Sequence, residues 1–254
     1  MEMIFSIFRK QYEVIKKIGQ EVYLVKEDNK YYVIKKIKFS NDKFGLKSLI
    51  NMKKIIPHVS KIINDNIIKY YESEIKDDYF YILMEYGGNS NLKQFIEEYK
   101  YRNKNIDEKI IKDILIQICH GLKDIDNNNI NHRDLTPNNI FITYDNKIKI
   151  GGLEKAIIKN EPSNNHDCLV GTTEYFYPEI LFMNLYSLGY IIYELFTLKE
   201  YNKDKNIKKD NKKDFKINSD IYNHKWKELI DLIFIKDYKE KPDIEGVYFM
   251  IKDY

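Results

Sequence analysis

The chain has 254 residues, enough for one substantial core or two small ones, and its 42 basic and 39 acidic residues almost cancel at a net +3. That balance speaks against a nucleic acid or a membrane as the main partner, and only two cysteines, Cys119 and Cys168, speak against a disulfide framework. No run of about eighteen apolar residues exists, and the apolar patch 3–8 lacks a leader's basic lead-in and small-residue cleavage site, so the expectation is a cytoplasmic chain, with the nucleus left open.

Three strands rich in Val, Ile and Tyr are predicted over 12–18, 21–26 and 31–37, broken by Gly19 and by Asp28-Asn29. A helix centred within 44–56 follows, with Pro57 as its expected end, and then strands over 66–70 and 79–85. Residues 91–99 read as a short helix with an Asn cap. Ile110, Ile111, Ile114, Leu115, Ile118, Leu122 and Ile125 recur at helical spacing, which predicts a buried helix over 107–126 capped by Asp107. A hairpin is expected around Asp145-Asn146, a helix over 184–196, and a helical apolar face over 226–235. The lysine-rich tract 199–220 reads as a solvated loop or as a docking patch for an acidic partner.

The stretch that carries chemistry is Asn131-His132-Arg133-Asp134-Leu135-Thr136-Pro137-Asn138-Asn139. It resembles the catalytic loop H-R-D-L-x-x-x-N of eukaryotic protein kinases, in which the Asp accepts the substrate hydroxyl proton and the Asn holds a metal ion. Val33-Ile34-Lys35 resembles V-A-I-K, whose Lys steadies the α- and β-phosphates, with Val33 where a small Ala commonly stands. Met84-Glu85-Tyr86-Gly87-Gly88 resembles the gatekeeper and hinge, where backbone groups near Glu85 and Gly87 would read adenine. Val170-Gly171-Thr172-Thr173-Glu174-Tyr175-Phe176-Tyr177-Pro178-Glu179 resembles the end of a Ser/Thr-type activation segment; Ser163, Thr172 and Thr173 are hydroxyls that phosphorylation could use.

The resemblance covers about residues 12–253. Phrases such as Asn139-Ile140-Phe141-Ile142 and Ile191-Ile192-Tyr193-Glu194-Leu195-Phe196 resemble the NimA-related Ser/Thr kinases. It implies an α+β, two-lobed protein kinase-like fold, with a small β-rich N-lobe over 1–86 and a larger, mainly helical C-lobe over 87–254. It implies ATP and magnesium as cofactors and a protein partner or protein substrate. Asp134, Lys35 and Asn139 would be the catalytic residues. Gly19, Val22, Val33, Lys35, Glu85, Gly87 and Phe141 would contact the nucleotide, and Asn139 the metal.

The departures are as informative as the matches. From Gly19 to Val22 is three steps, where the phosphate-covering loop G-x-G-x-x-G-x-V takes seven. No Glu occurs between Glu27 and Glu72, so the helix after Lys35 lacks the acid that pairs with the family's Lys. Thr136 stands where a Lys commonly contacts the γ-phosphate. About eighteen residues beyond Asp134, Gly152-Leu153-Glu154 replaces D-F-G, whose Asp is the principal magnesium ligand; glycine has nothing with which to coordinate. Asn184 replaces the Asp that anchors the catalytic loop, with only four residues between it and Glu179, and Lys241 replaces the Arg that would pair with Glu179. Two functions follow as expectations: a pseudokinase acting through protein binding, or a weakly active Ser/Thr protein kinase with Asp134 as base.

Overall fold

The computed structural model describes residues 4–159, 182–200, 217–218, 220–235 and 239–254. Its first part is a six-stranded antiparallel sheet in the order β1-β2-β3-β4-β6-β5. The strands are β1 (Ile4–Ile7), β2 (Lys10–Gly19), β3 (Val22–Glu27), β4 (Lys30–Lys38), β5 (Tyr70–Lys76) and β6 (Tyr79–Glu85). Helix α1 (Lys43–Val59) packs beside β5. β2 and β4 extend the predicted strands by a residue or two at the ends, and β3 is shifted by one residue, since period-two alternation marks a strand's middle better than its ends.

Three elements differ from expectation. β1 is an added edge strand: Phe5 and Ile7 join Tyr12, Tyr23, Val25, Ile34, Tyr81 and Leu83 in an apolar cluster of its own. Residues 4–7 of that apolar patch thus form a strand whose alternation buries one face. Helix α1 runs through Pro57 to Val59. A proline in the last turn forgoes one helical bond only, and Ser60 closes the end by donating its N–H to the Ile56 carbonyl at 3.0 Å and its hydroxyl to that of Pro57 at 3.0 Å. Residues 66–69 are not the start of the next strand. Asn66 accepts from the Ile150 N–H and Ile68 donates to the Ile150 carbonyl, each at 2.8 Å, and β5 begins at Tyr70.

The second part is helical. Helix α2 (Leu92–Tyr101) opens on a reciprocal cap between Asn91 and Gln94, and α3 (Glu108–Asn127) on Asp107, whose carboxylate accepts from the Lys109 N–H at 2.8 Å. Helix α4 (Met183–Thr197) is buried from Met183 to Phe196, and α5 (Lys225–Ile233) and α6 (Ile244–Lys252) pack against α4 and α3 respectively. Among these run the short strands β7 (Ser90–Asn91), β8 (Ile130–Asn131), β9 (Ile140–Ile142), β10 (Ile148–Ile150) and β11 (Ile157–Ile158). β9 and β10 form the hairpin expected around Asp145-Asn146. One core passes from α1 and the inner sheet face into the helices, which fixes the sheet over the loops that follow α3.

Candidate functional site

Between the sheet and the helical part lies a cavity of about 230 Å³. Gly19 and Val22 reach it from the β2–β3 hairpin, Val33 and Lys35 from β4, Met84 to Gly88 from the end of β6 and the link beyond, and Phe141 from β9. Asn139, Gly151, Gly152 and Glu154 close the far end. The expected contact residues Gly19, Val22, Val33, Lys35, Glu85, Gly87 and Phe141 thus share one cleft, and Asp134 stands behind Asn139. The cleft is narrow at its floor. A Cβ on Gly87 would stand 2.7 Å from Ile68 Cδ1, and one on Gly151 2.8 Å from Phe141 Cε2.

The roof over the far end is short. Gly19 pairs directly with Val22, which leaves Gln20-Glu21 as a two-residue turn with Glu21 at φ 53°. The Glu21 carbonyl accepts from the Lys36 N–H at 2.8 Å, and its carboxylate from Lys17 Nζ at 3.3 Å and the Tyr23 hydroxyl at 3.2 Å. A turn this tight has no slack to lie across a phosphate chain.

Behind the cleft, the loop after α3 is held by buried polar bonds. His132 donates from Nε2 to the Gly151 carbonyl at 2.8 Å and accepts at Nδ1 from the Asp134 N–H at 3.2 Å. Burial keeps this imidazole neutral, with its pKa pushed down to about 4, so one nitrogen stays an acceptor. Asn184 supplies the anchor expected of an Asp: its Oδ1 accepts from the His132 N–H at 3.0 Å and its Nδ2 donates to the Ile130 carbonyl at 2.9 Å. Asn139 Nδ2 donates to the Asp134 carbonyl at 2.7 Å and to Asp134 Oδ2 at 3.0 Å.

The charges at the far end are paired in a way that sequence spacing did not reveal. α1 carries lysines and no acid, and on it Asn51 donates to the Ala156 carbonyl at 2.9 Å. Lys35 instead forms an ion pair with Glu154, and Lys155 Nζ lies 3.0 Å from Asp134 Oδ2. Burial and the nearby Lys155 charge lower the Lys35 pKa to about 8, against the pull of Asp134. Glu154 reaches Lys35 because Gly152 adopts a left-handed conformation at φ 79° and starts a 3₁₀ turn over Leu153–Lys155. The buried Tyr70 hydroxyl fixes that turn by accepting the Leu153 N–H at 3.0 Å; desolvation raises this phenol's pKa to about 12. Outside the cleft, Lys149 Nζ holds the Glu85 carboxylate at 3.0 Å.

Magnesium requires hard oxygen ligands in near-octahedral array. Gly152 provides none, the Asn139 amide nitrogen and Lys155 engage the Asp134 carboxylate, and Lys35 engages that of Glu154. No group of three or more His, Cys, Asp or Glu side chains is arranged to hold a metal among the described residues. This donor set does not fit magnesium. Ser163, Thr172, Thr173 and Glu179 lie outside the described residues, as does most of the tract 199–220. Lys241 donates to the Ile233 carbonyl at 3.1 Å and stands 4.7 Å over the Tyr186 ring.

Residues 12–246 match the family model described as protein kinase domain. Serine/threonine-protein kinase Nek1 of Mus musculus is 28% identical over 254 residues, covering 93% of this chain and 21% of that protein. A probable serine/threonine-protein kinase nek2 of Dictyostelium discoideum is 32% identical over 207 residues, 74% of this chain and 49% of that protein. The interferon-induced, double-stranded RNA-activated protein kinase of Mus musculus is 27% identical over 274 residues, 94% of this chain and 50% of that protein. The chain therefore spans from about a fifth to half the length of these relatives.

Proposed function

The chain belongs to the protein kinase family, and we propose that it is a pseudokinase whose ATP-dependent phosphoryl transfer is lost or severely impaired and which acts by binding another protein. The observation that carries this reading is the re-pairing at the far end of the cleft. Position 152 has no side chain, and two carboxylates of this region, Glu154 and Asp134, are each engaged by a lysine. Phosphoryl transfer depends on metal and cationic groups spreading the charge of the transferred group, together with exact positioning by the loop above it. A thousandfold loss from one missing ligand raises the transition state by about 4 kcal/mol. The two-residue β2–β3 turn compounds that loss by leaving the phosphates uncovered. In this reading the small lobe ends near Tyr86 and the two lobes serve as a binding platform.

A weakly active Ser/Thr protein kinase is the second reading. It is favoured by Asn139 and Lys35 lining one cleft, with Asp134 hydrogen-bonded to Asn139 behind it and its N–H bonded to His132. Purified protein decides between them. The expected result is no thermal shift with magnesium-ATP and no phosphate transfer to itself or to a generic protein substrate. Transfer that disappears in Asp134→Asn would sink the pseudokinase reading and establish Asp134 as the base.

A further inference from the structure

Lys35 is the one lysine lining the cleft among the described residues, and its ammonium is already matched by a carboxylate from the same chain. We propose that Glu154 is a resident anion standing where a nucleotide's phosphates would meet Lys35, so that the cleft takes an uncharged purine nucleoside, without metal, in preference to ATP. This inference rests on the pseudokinase reading and extends it to the ligand that the same cleft holds.

Three observations converge. The first is size: about 230 Å³ falls below the roughly 300–1,000 Å³ typical of pockets for drug-sized ligands, which suits a base and sugar better than a base, sugar and three phosphates. The second is shape and polarity. Val22, Val33, Met84 and Phe141 give the near end apolar walls, and the glycines at 87 and 151 let the floor approach closely. A flat heteroaromatic ring fits such a slot, with the backbone of residues 85–88 at its edge.

The third is charge. Glu154 is 7% exposed and is fixed there by the left-handed Gly152 and by the Tyr70 hydroxyl on the adjoining Leu153 N–H. A triphosphate entering this end would either lie beside that carboxylate as a like charge or pull Lys35 away from it. The second course leaves a buried carboxylate without its partner, which is strongly unfavourable. Lys155 offers no relief, because it serves Asp134. The donor set does not suit a divalent cation that could neutralise the phosphates. A ribose carries no charge, and its hydroxyls can donate to a carboxylate.

Isothermal titration of the full chain with adenosine, AMP and ATP, each with magnesium and with EDTA, tests this. Adenosine is expected to bind at least tenfold more tightly than ATP, with AMP between, and magnesium is expected to leave all three unchanged. Glu154→Gln keeps the shape and an acceptor for Lys35 while removing the charge; it should tighten ATP at least tenfold and leave adenosine within threefold. A melting curve checks that the variant is folded, and Glu154→Gly serves as the second variant if it is not. ATP binding more tightly than adenosine, magnesium strengthening ATP, no adenosine binding at all, or a variant indifferent to the lost charge would each overturn the inference. None of these outcomes produces phosphate transfer, so the pseudokinase reading stands or falls separately.

Discussion

The back and the front of the loop around Asp134 are built on different terms. At the back, His132, Asn184 and the peptide groups of Ile130 and Gly151 form a continuous set of buried hydrogen bonds. At the front, facing the cleft, two lysines and two carboxylates are paired with each other. The back is what any chain needs in order to fold this loop, because unpaired buried polar groups are costly. The front is what phosphoryl transfer needs, and there Lys35 and Asp134 keep the family's residue types while Gly152-Leu153-Glu154 departs from D-F-G.

The sharpest way to break the comparison is to remove the back. Asn184→Ala deletes an acceptor for the His132 N–H and a donor to the Ile130 carbonyl at a position only 2% exposed. Two buried groups left unsatisfied, plus a small cavity, cost about 4 kcal/mol. That lowers the melting temperature by roughly 8–16 °C in a domain of this size, read by calorimetry. A drop of under about 3 °C would mean that the back is not the stabilising half.

The neutral imidazole gives the next effect. Its folded pKa, about 4, lies below the ordinary 6.5, so on acidification the unfolded chain takes the proton first. The stability associated with a neutral His132 is therefore complete above pH 6.5 and is lost progressively towards pH 4. The total is about 3 kcal/mol. In His132→Gln, stability should fall less steeply across that window by about this amount, measured by urea unfolding at several pH values. Equal slopes in both proteins would show that the imidazole takes up its proton in the folded state.

How much of this was legible in the sequence follows the same division. The strands over 12–37, the helix capped by Asp107, the helix over 184–196 and the placing of Lys35 and Asn139 in one cleft, with Asp134 bonded to Asn139 behind it, all follow from local periodicity and contiguous motifs. The absence of a Glu on α1 and the shortened hairpin were equally plain, because both are matters of counting. What could not be read was the partner that Lys35 found. Glu154 is 119 positions away, and its reach depends on a left-handed turn at Gly152 and a tyrosine hydroxyl from another strand. The signal available was a carboxylate standing in place of the family's glycine, which spacing alone does not direct toward any lysine. Asn184 shows the reverse case. In the sequence it counted as a departure, yet an amide can accept and donate at once and so serves two backbone groups.

Restoring the family's residue at the front is a smaller perturbation of stability and a direct probe of the exchange. In Gly152→Asp the new Cβ falls 2.6 Å from Asn139 Cγ, at a backbone φ of 79°. Asn139 must swing away and give up its bonds to Asp134, and a left-handed non-glycine residue adds strain; together these cost about 2 kcal/mol. Phosphate transfer is expected to stay absent, because Glu154 still occupies Lys35. Gly152→Asp with Glu154→Gly removes both obstacles, so activity in the double variant alone would locate the block in the pairing. Activity in the single variant would show that metal loss by itself was the block.

The smallest effect separates the two ion pairs from each other. Lys155 is 43% exposed, so Lys155→Ala should change stability by under about 1 kcal/mol, as expected of a half-solvated pair. Its consequence for Lys35 is distinct. The Lys155 charge is one of the causes that hold the Lys35 ammonium down at about 8, so deleting it should move that titration upward. The shift is readable by NMR of the ¹³C-methylated lysine. Asp134 makes the direction a real test: it pulls the Lys35 pKa up, and once Lys155 no longer pairs with it, its full charge adds to the same rise. A Lys35 titration that stays put or falls would mean that the two pairs are electrostatically independent, and that the front of the loop is two local exchanges instead of one connected substitution.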